Sequence, residues 1–569
     1  MTEEEVFGLE DRDAVRKYAL QNAIEYNGKG QSGSVLGRVL AEREQLRSRV
    51  KSLLSLVEKE VTRANSIARE DGIEEVRKEL ESFAPEALDR ERHKKNEGLR
   101  DLPGNTSEVI LRFAPNPNGP LSIGHSRGVV INSLYAEKYQ GKIVLRFDDT
   151  DTKVKPPMVD AYDWIQEEFE WMSGKAADVV IKASERMPIY LQHAEKMLIG
   201  GFGYVCKCTA EDFREFRVSK SDCPCRNKSV QENMDDWGKM NSGEIDEGGA
   251  VVRVKTGMDL PNPALRDWPA LRIQHSPHPI VGDMYKVWPL LDFQSAIEDH
   301  LQGVSHIIRG KDLMDSTRKQ TILYEHFGWE YPEPLYWGRV KIHEFGGFST
   351  SGMSSSIDTG KFSGWDDPRL PTLRALRRRG FDPGSLAELW GEVGLTQKDI
   401  SISLKTLESF NSRIIDGDCE RRVFVSSPKS LEFSSKNIAS RVMMARHPDG
   451  EIEGSRVWEV GMTVSIQDSD FVEGKLRLKD FADIIISGSS ATIESVDRSD
   501  DRKIVHWIPE KLALEAILSV PDGEGISEVK GVLENFELTE GEVYQLERVG
   551  FARFEGIQGG IARLLWLHN

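Results

Sequence analysis

Residues 109–151 read VILRFAPNPNGPLSIGHSRGVVINSLYAEKYQGKIVLRFDDTD. The apolar run at the start predicts a strand, and the proline- and glycine-rich residues after it predict a loop. Residues 122–140 have the pattern of a helix, and residues 142–147 form a second strand-like run that ends in acids. A strand, a loop, a helix and a strand in this order predict a βαβ unit of a parallel sheet, with nucleotide chemistry at the strand ends.

The loop and the helix start carry groups that suit a phosphate. Gly119 and Gly124 have no side chain and allow a ligand to come close to the backbone. The N–H groups of a helix N-terminus bind anions, and His125 in the first turn can donate a hydrogen bond to a phosphate oxygen. Because the lysine of a Walker A loop is missing, we expect an ATP site of another type here.

The composition is that of a large multidomain protein. The chain has 569 residues, of which 39% are hydrophobic, and chains of this length divide into several domains. No run of about 18 apolar residues is present, so we expect no membrane span. The acidic start MTEEEVFGLEDRD lacks the basic and apolar parts of a signal peptide, so we expect a cytoplasmic protein.

The net charge of the chain is relevant to whether it binds RNA. The 75 basic and 93 acidic residues give a net charge of −18, which disfavours long-range attraction to RNA. Local basic clusters still offer contacts, namely the four arginines within residues 374–379 and the pair Arg421 and Arg422. The alternative interpretation of these clusters is a solvated face of a helix and of a strand.

Two further regions differ from the βαβ unit. Residues 1–104 have helical patterns, with Val15, Ala19 and Ala23 on one side of a first helix and a second helix predicted from about residue 35 to residue 68. After residue 416, short strand-like runs separated by turn residues predict β-barrels or a sandwich.

The stretch RFAPNPNGPLSIGH (112–125), followed by RFDDTD (146–151), resembles the HIGH signature region of class I aminoacyl-tRNA synthetases. In detail it is similar to the glutamyl/glutaminyl branch, of archaeal and eukaryotic type. The resemblance continues through residues 292–312, residues 363–380 and the β-rich C-terminal part. Residues 17–30 resemble the helical domain that this family appends.

The resemblance implies a multidomain fold, α/β plus all-β, built on a class I Rossmann-like catalytic domain. The expected domains are a helical N-terminal domain (1–104), the two halves of the catalytic domain (105–200 and 271–340), an inserted acceptor-end-binding domain (201–270), a signature-loop and helical stem-contact domain (341–415) and anticodon-binding β-barrels (416–569).

The activity that the resemblance implies is ATP-dependent ligation of L-glutamate to the 3′ end of tRNA(Glu), through a glutamyl-adenylate. Mg²⁺ would accompany the ATP. Charging of tRNA(Gln) as well, with a tRNA-dependent amidotransferase as partner, is an open alternative. Glutaminyl-tRNA synthetase is a second alternative, and a catalytically impaired tRNA-binding paralogue is a third. Paralogues that glutamylate a modified base lack an anticodon-binding part, so the β-rich C-terminal residues disfavour that activity.

The resemblance also assigns roles to single residues. Arg112 would contact the amino acid, and Asp148 would pair with its α-ammonium group. Arg309 would pair with the glutamate side chain, where a glutamine-specific enzyme has a small uncharged residue. The residues expected to bind ATP are Pro115, Asn116, Pro117, Asn118, Gly119, Pro120, Leu121, Ser122, Ile123, Gly124, His125 and Thr350. The residues expected to act in catalysis are Ser122, Gly124, His125, Ser349 and Ser351.

Three positions depart from the family's pattern. Ser122 replaces the first histidine of the signature. Phe348–Ser351, or in another register Met353–Ser356, stands where the family has Lys-Met-Ser-Lys-Ser, and neither register has a lysine. Leu291 replaces a tyrosine that faces the amino acid. The usual cation for the leaving pyrophosphate must therefore come from elsewhere.

Four of the five cysteines, Cys206, Cys208, Cys223 and Cys225, lie within 20 residues of the chain. Clustered thiols indicate a metal site, and four thiolates suit a tetrahedral, structural Zn²⁺. Because the C-x-C spacing is tighter than the common C-x-x-C, two buried thiol pairs without a metal are the alternative. The family inserts its acceptor-end domain at this place, so the metal would stabilise a small domain that touches the tRNA end.

Overall fold

The structure is a computed structural model, and it describes residues 7–26, 28–84, 87, 99–345, 349–434, 441–449, 452–523 and 525–569. The chain divides into two compact units, Met1–Glu97 and Gly98–Asn569. Within the described ranges, every helix is too short or too polar to cross a membrane.

The described part of the N-terminal unit is helical. Its helices are α1 (Leu9–Glu25), α2 (Ser32–Glu42), α3 (Val50–Glu70) and α4 (Ile73–Phe83). Val15, Ala19 and Ala23 of α1 are buried in the core of this unit, which confirms the predicted apolar side of the first helix.

The prediction of one long helix over residues 35–68 is wrong. The chain leaves helical geometry at Arg43, and a 3-10 turn over Glu44–Arg49 separates α2 from α3. An unbroken helix of this length would extend for about 50 Å. With the break, α2 and α3 both pack against α1, and Leu46 of the turn is buried with them.

The second unit begins with the predicted βαβ pattern. β1 (Ile110–Phe113), α5 (Ile123–Tyr139), β2 (Lys142–Phe147), α6 (Val159–Ser173), β3 (Val179–Lys182) and α7 (Met187–Ile199) follow one another in the chain. The three strands form a parallel sheet in the order β1-β2-β3. Leu111, Ile143 and Leu145 are buried in a core that the helices share.

An antiparallel sheet is inserted next. Its elements are β4 (Gly203–Cys206), α8 (Ala210–Ser219), α9 (Val230–Ser242), β5 (Val251–Val254), β6 (Pro269–Ile273) and β7 (Val287–Pro289). The strands pair in chain order. The sheet has its own apolar core, in which Trp237, Trp268 and Trp288 are buried.

The chain then returns to the parallel sheet. The elements are α10 (Leu291–Leu301), β8 (His306–Gly310), α11 (Met314–Phe327) and β9 (Glu333–Trp337), and β8 pairs with β9 in parallel. The N–H of Ser305 donates to the carbonyl of Ile110 at 2.9 Å, so β8 starts beside the start of β1. The carboxyl ends of β1, β2 and β8 therefore lie at one edge.

A mainly helical region follows the parallel sheet. Its elements are β10 (Val340–Ile342), α12 (Thr350–Asp358), α13 (Leu373–Arg379), α14 (Pro383–Val393), β11 (Ile400–Ile402) and α15 (Leu404–Ile415). β10 and β11 pair in parallel. Leu373, Trp390 and Leu407 belong to the same core as β1 and β2, so this region packs against the βαβ unit.

Where the structure describes the chain after residue 416, the strands form two seven-stranded sheets and a separate hairpin. The strands are β12 (Arg421–Arg422), β13 (Phe424–Ser426), β14 (Pro428–Phe433), β15 (Arg441–Ala445), β16 (Ser455–Glu459), β17 (Thr463–Gln467), β18 (Gly474–Leu478), β19 (Ala482–Ser487), β20 (Ser490–Ser495), β21 (Ile504–Val505), β22 (Trp507–Pro509), β23 (Ala513–Asp522), β24 (Gly525–Glu534), β25 (Val543–Leu546), β26 (Gly550–Gln558) and β27 (Ile561–His568).

Each of the two large sheets curls towards closure. One has the order β12-β25-β26-β27-β23-β24-β13, and the other has the order β21-β18-β19-β20-β14-β17-β22. The two edge strands of each sheet are neighbours in the chain, β12 with β13 and β21 with β22. Because one short segment supplies both edges, each sheet is barrel-like, as the sequence predicted.

Candidate active site

Three arginines lie at the carboxyl ends of the parallel strands. Arg112, Arg146 and Arg309 are each the residue before the last in β1, β2 and β8, and all three are buried. Asp299 of α10 accompanies them. Its Oδ1 is 2.6 Å from Nη1 of Arg146 and 3.4 Å from Nε of Arg112. We call these residues, together with Asp148, the arginine cluster.

Asp148 supplies the second negative charge of the arginine cluster. Its Oδ1 accepts a hydrogen bond from Nε of Arg146 at 2.8 Å. Burial alone would raise the pKa of Asp299, but the guanidinium groups of Arg146 and Arg112 outweigh burial and hold this pKa below its usual value. Three guanidinium groups thus face two carboxyl groups. The cluster therefore suits an anionic ligand.

Arg309 is held in place by neutral oxygens. Its Nη2 donates to Oγ1 of Thr317 at 2.8 Å, to Oε1 of Gln320 at 2.9 Å and to the hydroxyl of Tyr331. No described carboxylate lies within ion-pair distance of this guanidinium, and its buried Nε has no hydrogen-bond partner in the described structure. The side chain is thus oriented, but its charge is not neutralised by a direct contact.

The two consecutive acids after β2 differ in their surroundings. Asp149 is fully buried, and its carboxylate accepts hydrogen bonds at 2.7 Å from the hydroxyl of Tyr162 and from both the N–H and the hydroxyl of Ser184. Asp148 is only half-buried and belongs to the arginine cluster. Asp149 therefore has a structural role, whereas Asp148 is partly accessible and contacts Arg146 of the arginine cluster.

The loop between β1 and α5 is fixed by hydrogen bonds at both ends. The N–H of Asp148 donates to the carbonyl of Pro115 at 3.0 Å, and Nδ2 of Asn116 donates to the carbonyl of Asp148 at 2.9 Å. At the far end, the N–H of Leu121 donates to Oε2 of Glu168 at 2.7 Å. Sequence reasoning misses Glu168, because it stands in an ordinary amphipathic helix and only its burial sets it apart.

His125 and Ser122 are linked at the start of α5. The N–H of Ser122 donates to Nδ1 of His125 at 3.1 Å, so the proton of a neutral ring stands on Nε2. The pKa of His125 is lowered by the surrounding protein and by the charge of Lys155, although the side chain is exposed to solvent. A side chain that has protein atoms around it and is still exposed to solvent lies at the wall of a cleft. The Nε2–H of His125 is therefore available to a ligand.

The two glycines of the loop have different surroundings. A Cβ atom at Gly119 would lie 2.8 Å from the methyl group of Thr350, so the first loop meets the second loop at this point. A Cβ atom at Gly124 would contact only Oγ of Ser122, at 3.6 Å, so the space over the helix start is open. The backbone at Gly124 is accordingly accessible to a bound phosphate.

The second loop is described from Ser349 onward, and Gly347 and Phe348 lie outside the described residues. Ser349 accepts the N–H of Gly352 at 3.1 Å and caps α12, whose first turn contains Thr350 and Ser351. The alternative register begins at Met353, which is buried in a small apolar core with Phe362 and Leu370. In the first register Thr350 thus contacts the first loop, whereas the alternative register begins at a residue of this core.

Leu291, which stands where the family has a tyrosine, is the first residue of α10. Its side chain is 46% exposed, so it presents apolar surface to solvent or to a ligand. It offers no hydroxyl with which to donate a hydrogen bond to an amino-acid substrate.

The four clustered cysteines come together beside β4. Their Sγ atoms all lie within 4.8 Å of one another. The Sγ atoms are 3.9 Å apart in the pair Cys206 and Cys223, and 3.9 Å apart in the pair Cys208 and Cys225. A disulfide would need about 2.05 Å. Sulfurs that bind one tetrahedral zinc at about 2.3 Å stand roughly 3.8 Å from one another, so the donor set fits that metal.

The basic clusters considered as RNA contacts are partly used inside the protein. Arg421 and Arg422 are buried, and Arg422 pairs with Glu420 at 2.6 Å. Arg379 is buried as well and donates to the carbonyl of Leu567 at 2.5 Å. For these three arginines, both an RNA contact and a solvated face are wrong, because their partners lie within the fold.

Comparison with known proteins gives consistent matches along the chain. Residues 108–417 match the family model described as tRNA synthetases class I (E and Q), catalytic domain. A glutamate–tRNA ligase of Archaeoglobus fulgidus is 41% identical over 551 residues, which cover 96% of this chain and 98% of that protein. A glutamate–tRNA ligase of Methanosarcina mazei is 42% identical over 572 residues, which cover 97% of each.

A solved structure of glutamate–tRNA synthetase from Elizabethkingia anophelis is 19% identical, with a TM-score of 0.40 and coverage of 55% of this chain and 72% of that chain. The family model spans more than half of the chain, and the archaeal relatives span nearly all of it. The chain therefore belongs to the class I aminoacyl-tRNA synthetases, in the family of the archaeal glutamate–tRNA ligases.

Proposed function

We propose that the chain ligates L-glutamate to the 3′ end of tRNA(Glu) in two steps. The α-carboxylate of glutamate attacks the α-phosphorus of ATP, pyrophosphate leaves, and a glutamyl-adenylate forms. The terminal ribose hydroxyl of the tRNA then attacks the activated carbonyl, and AMP leaves. The residues of the site orient the reactants and stabilise developing charge, so no covalent bond to the enzyme is needed.

The excess positive charge of the arginine cluster supports glutamate as the amino acid. Free glutamate carries one net negative charge at neutral pH, and glutamine carries none. Arg309 lacks a carboxylate partner in the described structure, so the side-chain carboxylate of glutamate would form a charge-assisted pair with it. A neutral amide would leave this buried charge unpaired, at a cost of about 1.5–3 kcal/mol. The cluster therefore disfavours a glutaminyl enzyme.

Arg112 and Asp148 would hold the α-groups of the amino acid. One oxygen of Asp148 is occupied by Arg146, and the other suits the α-ammonium group. Among the described side chains, Arg112 has one polar contact, of 3.4 Å to Asp299, which leaves its guanidinium able to donate to a carboxylate oxygen. Leu291 would form an apolar wall of this pocket.

ATP would lie along residues 115–125. The phosphates would sit at the start of α5, where the space at Gly124 is open and His125 offers its Nε2–H. Thr350, beside Gly119, would bring the hydroxyls of Ser349 and Ser351 to the other side of the phosphates. Mg²⁺, when bound with ATP, supplies positive charge to the phosphate oxygens.

The other regions would serve the tRNA. We assign Cys206, Cys208, Cys223 and Cys225 to one Zn²⁺ ion, which has four protein ligands and therefore a structural role. The domain around it would contact the acceptor end, and the two barrel-like sheets would contact the anticodon. Because the product feeds protein synthesis, we place the reaction in the cytoplasm.

Aminoacylation of tRNA(Glu) and of tRNA(Gln) with labelled glutamate and labelled glutamine tests the proposal. We expect glutamate on tRNA(Glu) and no glutamine on either tRNA. Glutamate on tRNA(Gln) would add a second substrate and would require an amidotransferase as partner. Glutamine as the preferred amino acid would contradict the proposal. Binding of tRNA without any charging would favour the impaired paralogue.

A further inference from the structure

The second loop lacks the positive charge that the reaction needs. Neither register of this loop contains a lysine. When the bond between the α-phosphorus and the bridging oxygen breaks, pyrophosphate takes the electron pair and gains negative charge. A cation beside that oxygen stabilises the transition state, and loss of such a donor typically slows a reaction by about 10²–10³-fold.

Two of the arginines that follow the second loop are already paired with acids. Arg369 donates to Asp367 from Nε at 2.8 Å and from Nη2 at 2.7 Å. Arg374 pairs with Glu167 at 3.1 Å. A paired guanidinium of this kind is a poor replacement for a mobile lysine, so these two arginines are poor candidates for the missing cation.

The segment 151–158 runs beside the ATP loop and is anchored at both ends. At its start, Nη2 of Arg272 donates to Oδ1 of Asp151 at 2.9 Å, and Oγ1 of Thr152 donates to the carbonyl of Ser276 at 2.9 Å. At its end, the N–H of Met158 donates to the carbonyl of Pro117 at 2.8 Å. The last of these hydrogen bonds joins this segment directly to the loop expected to bind ATP.

The two lysines of this segment differ in their partners. Lys153 forms an ion pair of 2.7 Å with Glu247. Lys155 is exposed, and no described carboxylate lies within ion-pair distance of its Nζ. Lys155 is close enough to His125 for its charge to contribute to the lowered pKa of that ring. An exposed ammonium group thus lies three residues before Met158, the residue that is hydrogen-bonded to the loop expected to bind ATP.

We propose that Lys155 binds the β- and γ-phosphates of ATP and stabilises the leaving pyrophosphate, in place of the lysines that the second loop lacks. This role rests on the proposed function. The oxygen of the glutamate α-carboxylate forms its bond to the α-phosphorus, the bond to the bridging oxygen breaks, and the Lys155 ammonium group donates hydrogen bonds to the pyrophosphate. The lysine keeps its proton throughout, so it is a charge-stabilising group and not an acid or a base.

Lys155→Gln, Lys155→Arg and the control Lys153→Gln test this role in the full-length protein. Glutamate-dependent exchange of labelled pyrophosphate into ATP is measured, together with direct binding of ATP. We expect Lys155→Gln to lower the exchange rate by about 10²-fold, to raise the KM for pyrophosphate and to leave the KM for glutamate unchanged. Lys155→Arg should recover much of the activity, and Lys153→Gln should resemble the wild type.

The role is overturned if Lys155→Gln and Lys153→Gln have the same exchange rate and the same affinity for ATP. Its failure is distinguishable from failure of the proposed function. A wild-type protein that neither exchanges pyrophosphate in the presence of tRNA(Glu) nor charges that tRNA contradicts the function itself, and binding of ATP to the wild type and to Lys155→Gln then still tests the lysine. Equal ATP affinities in that case would overturn the role as well.

Discussion

Asp299 and Arg146 form a buried ion pair, with 2.6 Å between Oδ1 and Nη1, and each side chain is only 1% exposed. Asp299 also contacts Arg112, and Arg146 also contacts Asp148, so strands β1 and β2 and helix α10 meet at this pair. A buried pair gains little over apolar side chains of the same size. Removal of one partner, however, leaves a charge that is buried and uncompensated.

We therefore expect Asp299→Asn to lower the free energy of unfolding by about 3–5 kcal/mol. Urea unfolding followed by circular dichroism measures the loss. Glu388→Gln is the matched control, because Glu388 pairs with Arg413 at 3.2 Å on the exposed surface. Such a pair contributes less than about 1 kcal/mol. Equal unfolding midpoints for the two variants would contradict a contribution of Asp299 to stability through its buried ion pair.

Arg309→Gln should weaken the binding of glutamate. The variant loses the charge that would face the substrate carboxylate, and a loss of about 3 kcal/mol corresponds to roughly a 10²-fold rise in the KM for glutamate. The KM for ATP should stay the same, and pyrophosphate exchange with varied glutamate measures both constants. Arg318→Gln is the control, because Arg318 lies on α11 and pairs with Asp315 at the surface. An unchanged KM for glutamate would refute the assignment.

The arginine cluster shows how far the sequence can predict a site. Arg112, Asp148 and Arg309 stand inside recognisable motifs, and the resemblance is sufficient to name them. Arg146 stands in one of the same motifs, but its partner Asp299 lies 153 residues later in the chain. No spacing rule links two such residues, because the link arises only when the parallel strands and α10 come together.

The fold was predictable where a pattern is local. The spacing of apolar residues in β1, α5 and β2 is visible in each segment by itself. The structure has these elements where that spacing predicts them. The break between α2 and α3 has no glycine or proline to mark it, because packing against α1 causes it. The burial of Arg421 and Arg422 likewise depends on partners in distant strands and turns.

His125→Ala should lower glutamate-dependent pyrophosphate exchange by about 10²-fold or more, because one donor to the phosphates is lost. Binding of tRNA should change little, since the substitution is confined to the start of α5. Gel-shift or filter-binding measurements give the second quantity. His275→Ala is the control, because His275 is an exposed histidine outside the ATP loop. Exchange equal to the wild type would exclude His125 from ATP binding.

Metal analysis by mass spectrometry should find about one zinc per chain. Cys223→Ser should lose most of this metal and should reduce tRNA charging more than pyrophosphate exchange, because the arginine cluster, where we propose that the amino acid binds, lies on the parallel sheet and not on the inserted one. Cys419→Ser should keep the metal, since Cys419 is a buried thiol outside the cluster. A wild-type protein that is folded, active and free of metal would contradict a zinc site.

Glu168→Gln should change how stability depends on pH. Burial raises the pKa of Glu168 to about 8, although its carboxylate accepts the N–H of Leu121. An unfolded glutamate has a pKa of about 4.3. Between these values the folded chain holds a proton that the unfolded chain has released. Stability therefore falls as the pH rises through this window, by up to about 1.4 kcal/mol for each pH unit.

The glutamine side chain stays neutral and still offers an oxygen to Leu121, so Glu168→Gln should lose this part of the pH dependence. Thermal unfolding at pH 6 and at pH 9 measures this pH dependence. From pH 6 to pH 9, the melting temperature of the wild type should fall further than that of Glu168→Gln. Glu167→Gln is the control, because Glu167 is the neighbour of Glu168 in the chain but is 54% exposed beside Arg374. If Glu168→Gln and the wild type lose stability equally, then Glu168 is ionised in the native protein. Its contact with Leu121 would in that case be a charged hydrogen bond that fixes the ATP loop at every pH tested.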